Sequence, residues 1–151
     1  MLIKDFVLRD ETVLEVGKFA ILWNCFERSW CNCDCNSPTI KSIAKTIPID
    51  VEKRDCLAKV LNERRHLFQQ LTTDYVEISL HPPQARLSRT EDREVMRQFI
   101  EQTGDDQTRG CLLVLWRIRN NLMHGVKLIE ELDGQYKLFC TATAVLESIG
   151  E

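Results

Sequence analysis

Apolar residues recur at intervals of three and four along nearly the whole chain, and the strict alternation of a half-buried strand is rare. That spacing lines up one face of a helix and predicts an all-α fold, a bundle of about five to six helices. The first helix is expected over about 10–30, with an apolar arc of Val16, Phe19, Ala20, Trp23, Phe26 and Trp30. A short second helix opens with Ser37 as N-cap and Pro38 at the first helical position, and stops near Pro48. The third begins at Asp50 and carries Leu57, Val60, Leu61, Leu67, Phe68 and Leu71 on one face. Residues 75–80 read equally as a short strand or as more helix, and a loop follows from His81-Pro82-Pro83 to Arg89. Thr90, followed by Glu91 and Asp92, caps a fourth helix reaching about Thr103. A fifth runs from about Asp106 to Gly125, and the turn Asp133-Gly134-Gln135 leads into a sixth that buries Leu138, Ala142, Val145, Leu146 and Ile149.

With 151 residues, 44% of them hydrophobic, the chain can build one core, and no linker divides it, so one domain over 1–151 is expected. The longest apolar run, Cys111 to Trp116, is far too short for a bilayer, so no membrane partner is expected. The first ten residues bring in acids at once and lack a small-residue cleavage site, which predicts a cytoplasmic chain. Seven cysteines in that compartment argue for free thiols or a metal site over a disulfide framework.

A net charge of −3 removes the simplest signature of a nucleic-acid-binding domain. The distribution says more. Between Gln107 and Ile129 stand Arg109, Arg117, Arg119 and Lys127 with no acid, a stretch at +4 that leaves the rest of the chain at −7. A local positive strip is therefore expected, with Arg117 and Lys127 as candidate contacts to RNA.

Two charges intrude where apolar residues belong. Arg119 falls within the arc of Leu112, Leu115, Trp116, Leu122, Met123 and Val126, and Glu27 falls within the arc of the first helix. A guanidinium keeps its charge, so one at a half-buried position calls for an anionic partner, a carboxylate or a ligand phosphate. Glu27 is the natural carboxylate if the two helices pack face to face; Arg64, embedded in the same way in the third helix, is its rival partner. The bland reading of each is a structural ion pair or a snorkelling side chain.

The company of Arg119 points to chemistry. In Arg119-Asn120-Asn121-Leu122-Met123-His124-Gly125, a phosphate-binding fork and a group that titrates near neutrality lie at one helix end. Cutting RNA needs a base for the ribose 2′-hydroxyl, an acid for the leaving 5′-oxygen and a fixed positive charge on the phosphate. Five residues of helix set Arg119 and His124 about 140° apart, whereas Asn120 and His124 share a face. A two-fold dimer would bring groups from two copies to one cleft.

This run resembles the HEPN family (higher eukaryotes and prokaryotes nucleotide-binding), small helical proteins marked by Arg, four to six residues and His, often with Asn right after the Arg. Arg119, Asn120 and His124 match that pattern, and Leu22-Trp23 with Phe26-Glu27 is similar to the aromatic-acid pattern on the first long helix of many members. The resemblance implies a bundle that dimerises through the motif helices. In active members it implies a metal-independent endoribonuclease, without cofactor, that leaves a 2′,3′-cyclic phosphate; many are toxins of toxin–antitoxin or phage-defence systems, with an antitoxin protein as partner. On that pattern Arg119, Asn120 and His124 are the catalytic candidates and Glu27 the supporting one. Val126 stands where a subgroup silenced by a nucleotidyltransferase antitoxin has Tyr. Other members have lost catalysis and act as protein- or nucleotide-binding or dimerisation modules, which is the alternative reading.

Cys25, Cys31, Cys33 and Cys35 supply the four thiolates that zinc takes. Their Cys-x-Cys-x-Cys run is tighter than a zinc knuckle and no second knuckle follows, so free thiols are expected, with zinc or another soft metal as the alternative. His66 and His81 join no visible site.

Overall fold

A fifth helix with hardly any exposed side organises the molecule. A computed structural model describes residues 1–67, 90–123 and 129–150. In it α1 spans Asp10–Trp30, α2 Ser37–Ile43, α3 Val51–Leu67, α4 Thr90–Glu101, α5 Gln107–Met123 and α6 Tyr136–Ser148, with a 3₁₀ segment, Ile129–Gln135, leading into α6. Ahead of α1 lies a two-residue antiparallel ladder, β1 (Leu2–Ile3) and β2 (Phe6–Val7), in which Leu2 faces Val7 and Ile3 faces Phe6. The chain is thus an all-α bundle with one small hairpin appended.

Local chemistry explains where the helices start. Asp50, expected as the first residue of the third helix, instead caps α3 by accepting from the Lys53 N–H at 3.0 Å. At α2 the cap lies one residue earlier than expected: Asn36, not Ser37, is in the extended conformation, and its Oδ1 accepts from the Thr39 N–H at 2.9 Å. Asn reaches the third amide of a helix as well as Ser does, and here it precedes the proline by two residues. The α4–α5 connection turns through Gln102 and Gly104, both at positive φ (58° and 75°).

α6 packs between α1 and α3, with Phe19 meeting Phe139 edge to face at 5.5 Å. The other main layer is the hairpin of α4 and α5, which lies against α2 and α3. Because neighbours surround it, α5 buries Arg109 through Leu115 without a break, then Arg117, Ile118, Asn120 and Asn121. The simple arc expected for this helix is corrected accordingly: Leu112 and Leu115 are core, Trp116, Arg119 and Leu122 are half-buried, and Met123 is 61% exposed.

Gly110 lets α4 and α5 come that close. A Cβ there would stand 2.5 Å from Phe99 Cβ and 2.8 Å from the Val95 carbonyl oxygen, atoms that no rotamer change can move. Gly110→Ala should therefore cost about 1–3 kcal/mol of stability through overpacking, although alanine in an open helix would gain about 1 kcal/mol. Urea unfolding checks this, and a stabilised variant would show that the two helices are free to spread.

The expected side-chain positions of His66, Leu67, Phe68 and Leu71, the open choice at 75–80 and the loop from His81 to Arg89 lie outside what the structure describes.

Candidate functional site

The cleft between α1 and α5 brings the two intruding charges together. Phe19, Ala20, Trp23, Asn24 and Glu27 of α1 form one wall, and Arg119, Leu122 and Met123 of α5 form the other, around a space of about 270 Å³ open to solvent. Periodicity puts them there: Ala20, Trp23, Asn24 and Glu27 are neighbours on one helical face, and Arg119, Leu122 and Met123 share another.

Glu27 and Arg119 face the same cleft without forming an ion pair, which corrects the contact expected between them. Each is held by a closer neighbour on its own helix. The Trp23 indole N–H donates to Glu27 Oε2 at 3.3 Å, one helical turn back. Arg119 Nη1 donates to Asn120 Oδ1 at 2.9 Å. The rival partner is elsewhere too: Arg64 donates to the Gly134 carbonyl at 3.2 Å and makes no ion pair with Glu27. The outcome is a carboxylate and a guanidinium across one small cleft, the guanidinium partly solvated and fastened on one side by a buried amide.

The positive strip is mostly interior. Arg109 is 5% exposed and bonds Asp92 at 3.1 Å and Glu91 at 3.0 Å. Arg117 is 3% exposed, with its guanidinium 5.1 Å from the centroid of the Trp116 ring. Burial holds the Arg117 pKa below the usual guanidinium range, while Asp92 pulls it back up. Arg117 therefore does not lie on a surface that RNA can reach, because the α4–α5 packing that closes over α5 encloses it. Among the described residues Arg119 is the member of this strip that reaches the α1–α5 cleft; His124, Val126 and Lys127 lie outside the described residues.

A second cleft, lined by Lys41, Lys45, Arg54, Arg109, Asp105 and Asp106 among others, is more basic in composition, but Lys41, Arg54 and Arg109 already meet acids. Lys41 meets Glu91 at 3.5 Å and Arg54 meets Asp55 at 3.1 Å, and the acids of Arg109 are named above. A third, between the C-terminal ends of α1 and α6, is lined by Leu22, Phe26, Trp30, Leu146 and Ile149 and contains no cation.

The four clustered cysteines do not converge. Cys25 and Cys33 are exposed, whereas Cys31 and Cys35 are buried with their sulfurs 3.2 Å apart. Among the described residues no group of three or more His, Cys, Asp or Glu side chains is placed to hold a metal ion, so the zinc alternative for these thiols is corrected to a single close pair. Sequence reasoning missed that pair, the buried Asp92–Arg109 bond and the role of Trp23. The i, i+4 spacing of Trp23 and Glu27 and of Cys31 and Cys35 was the available signal.

No helix among the described residues is long and apolar enough to cross a membrane. Compared with protein-family models, curated proteins and solved structures, the chain matches none.

Proposed function

We propose that the chain is an HEPN-like, metal-independent endoribonuclease that acts at the α1–α5 cleft. The observation that carries the reading is Arg119: a half-buried guanidinium that opens on a cleft, with no acid in ion-pair contact among the described residues, and begins the run Arg119-Asn120-x3-His124. In this reading Arg119 binds the non-bridging oxygens of the scissile phosphate through its free edge, and Asn120 fixes the rest of the fork. His124 serves as general base or acid: a proton leaves the ribose 2′-hydroxyl, that oxygen attacks phosphorus, and the departing 5′-oxygen is protonated, leaving a 2′,3′-cyclic phosphate. Glu27 sets the electrostatic balance of Arg119 from across the cleft, and the indole of Trp23 orients it.

A homodimer through the α5 helices belongs to the same reading, since a second copy would cover the exposed Met123 at the lip of the cleft and bring a second His124 and Arg119. RNA is the substrate, and an antitoxin protein in a toxin or phage-defence setting is the partner that fits such an activity. One observation favours the alternative, a catalytically silent bundle that binds a protein or a nucleotide: two of the arginines of the basic strip are interior and contribute nothing to a backbone track. Purified protein incubated with mixed RNA in EDTA decides between them. Cleavage is expected, and Arg119→Met should reduce it about 10²-fold or more, the scale of removing one preorganised charge from a transition state. Intact RNA under all conditions would leave the silent bundle.

A further inference from the structure

Cys31 and Cys35 meet where α1 ends and α2 begins. They are 3% and 9% exposed, and their sulfurs, 3.2 Å apart, must approach by only about 1 Å more to reach bonding distance. The intervening backbone is unusual: Asn32 and Cys33, neither a glycine, both have positive φ, 51° and 65°. One atom anchors this turn. The Glu27 carbonyl accepts from the Cys31 N–H and from the Cys33 N–H, each at 3.0 Å, and the Cys31 carbonyl accepts from the Asp34 N–H at 3.0 Å.

We propose that Cys31 and Cys35 form a reversible dithiol–disulfide pair whose closure shifts the end of α1 and, with it, Glu27 in the cleft shared with Arg119. The bond itself stands on geometry alone; its effect on RNA cleavage rests on the function proposed above. The pair is the only one of its kind among the described residues: Cys25, Cys33 and Cys56 are exposed, Cys140 is half-buried beside Tyr136, and Cys111 is buried in the core, where desolvation pushes its thiol up. The two thiols are also joined by a hydrogen bond, Cys31 Sγ to Cys35 Sγ. The hydrogen bond between them brings the Cys31 thiol below its ordinary range against the opposing effects of burial and Glu27, and the same bond, with burial, pushes Cys35 up. Glu27 and Arg119 therefore both act electrostatically on this pair, and the reverse coupling follows.

The oxidant is a small hydroperoxide, able to reach thiols so little exposed. The thiolate of one cysteine attacks a peroxide oxygen, the O–O bond breaks, and a sulfenic acid and one water result. The second sulfur attacks the sulfenic sulfur, the S–O bond breaks as the S–S bond forms, and a second water leaves. Two electrons pass from the two sulfurs to hydrogen peroxide, and both thiol protons end in water. A dithiol reductant reverses the change by exchange.

The test uses the full chain under native conditions. Intact mass after hydrogen peroxide should fall by about 2 Da, two hydrogen atoms, with peptide mapping placing the link between Cys31 and Cys35 and dithiothreitol restoring both thiols. In the same sample the Trp23 indole N–H resonance, which reports on Glu27, should shift in wild type and stay in place in Cys35→Ser. Cleavage of RNA by the oxidised wild type should fall, by up to about 10²-fold, the scale of a 1 Å misplacement that starts away from the chemistry. A link through other cysteines, oxidation to sulfinic acid without a 31–35 bond, or a bond that leaves the Trp23 resonance unmoved would each overturn the proposal. The mass and the indole signal need no nuclease activity, so a protein that never cuts RNA would refute the function while leaving the pair decided.

Discussion

Asp92→Ala is expected to lower stability by about 3 kcal/mol, the low end for removing one partner of a buried ion pair. Asp92 is 2% exposed and accepts from Arg109 Nη2 at 3.1 Å, with Arg109 itself 5% exposed. The truncation leaves a buried guanidinium whose remaining acids, Glu91 at 3.0 Å and Asp106 at 3.8 Å, are largely solvated. Asp92 also acts on the buried Arg117, so its loss exposes a second cation to uncompensated desolvation. For a chain of this size the loss is a fall in Tm of about 6–12 °C. The double variant Asp92→Ala/Arg109→Met should be more stable than the sum of the single effects implies, because the apolar side chain removes the charge that Asp92 serves. A Tm within about 1 °C of wild type would mean that Glu91 alone suffices.

His124→Ala should abolish RNA cleavage, a loss of about 10²–10⁴-fold, with melting and helix content unchanged. The expectation rests on the chemistry of the run. Imidazole is the one side chain in Arg119–Gly125 that can give and take a proton near neutral pH, and transfer of a proton to the leaving 5′-oxygen is a step that Arg119 cannot perform. Arg119→Met and His124→Ala should then fail to add, because the two groups act on one transition state. Residual cleavage at the wild-type rate in His124→Ala would remove His124 from the mechanism.

Periodicity carried much of the fold. Phe19, Trp23 and Phe26 on α1, Leu57 and Leu61 on α3 and Leu138, Ala142 and Val145 on α6 all lie in the core where a 3.6-residue repeat places them. It failed on α5, where partners on several sides bury Arg109, Arg117, Asn120 and Asn121 together with the apolar residues, so no single arc marks the buried face. The hairpin of Leu2–Ile3 and Phe6–Val7 is too short for any alternation to register.

At the site, the misplaced charges of Glu27 and Arg119 did signal a shared cleft, since a charge on an apolar face must open to water or meet another polar group. The ion pair itself did not follow. A carboxylate finds the nearest donor, and Trp23 four residues back was nearer than a guanidinium on another helix; Arg119 found Asn120 in the same way. The Asp92–Arg109 bond depends on how tightly Gly110 lets two helices approach, a tertiary fact that neither helix states alone.

Analysis of the product termini tests the proposed chemistry. A short RNA oligonucleotide incubated with the wild-type protein in EDTA should yield fragments ending in a 2′,3′-cyclic phosphate and a 5′-hydroxyl, and the same oligonucleotide carrying 2′-deoxyribose at the cut position should stay intact. Fragments with 3′-hydroxyl and 5′-phosphate ends, cleavage of the deoxy substrate, or cleavage only after addition of a divalent metal ion would contradict it.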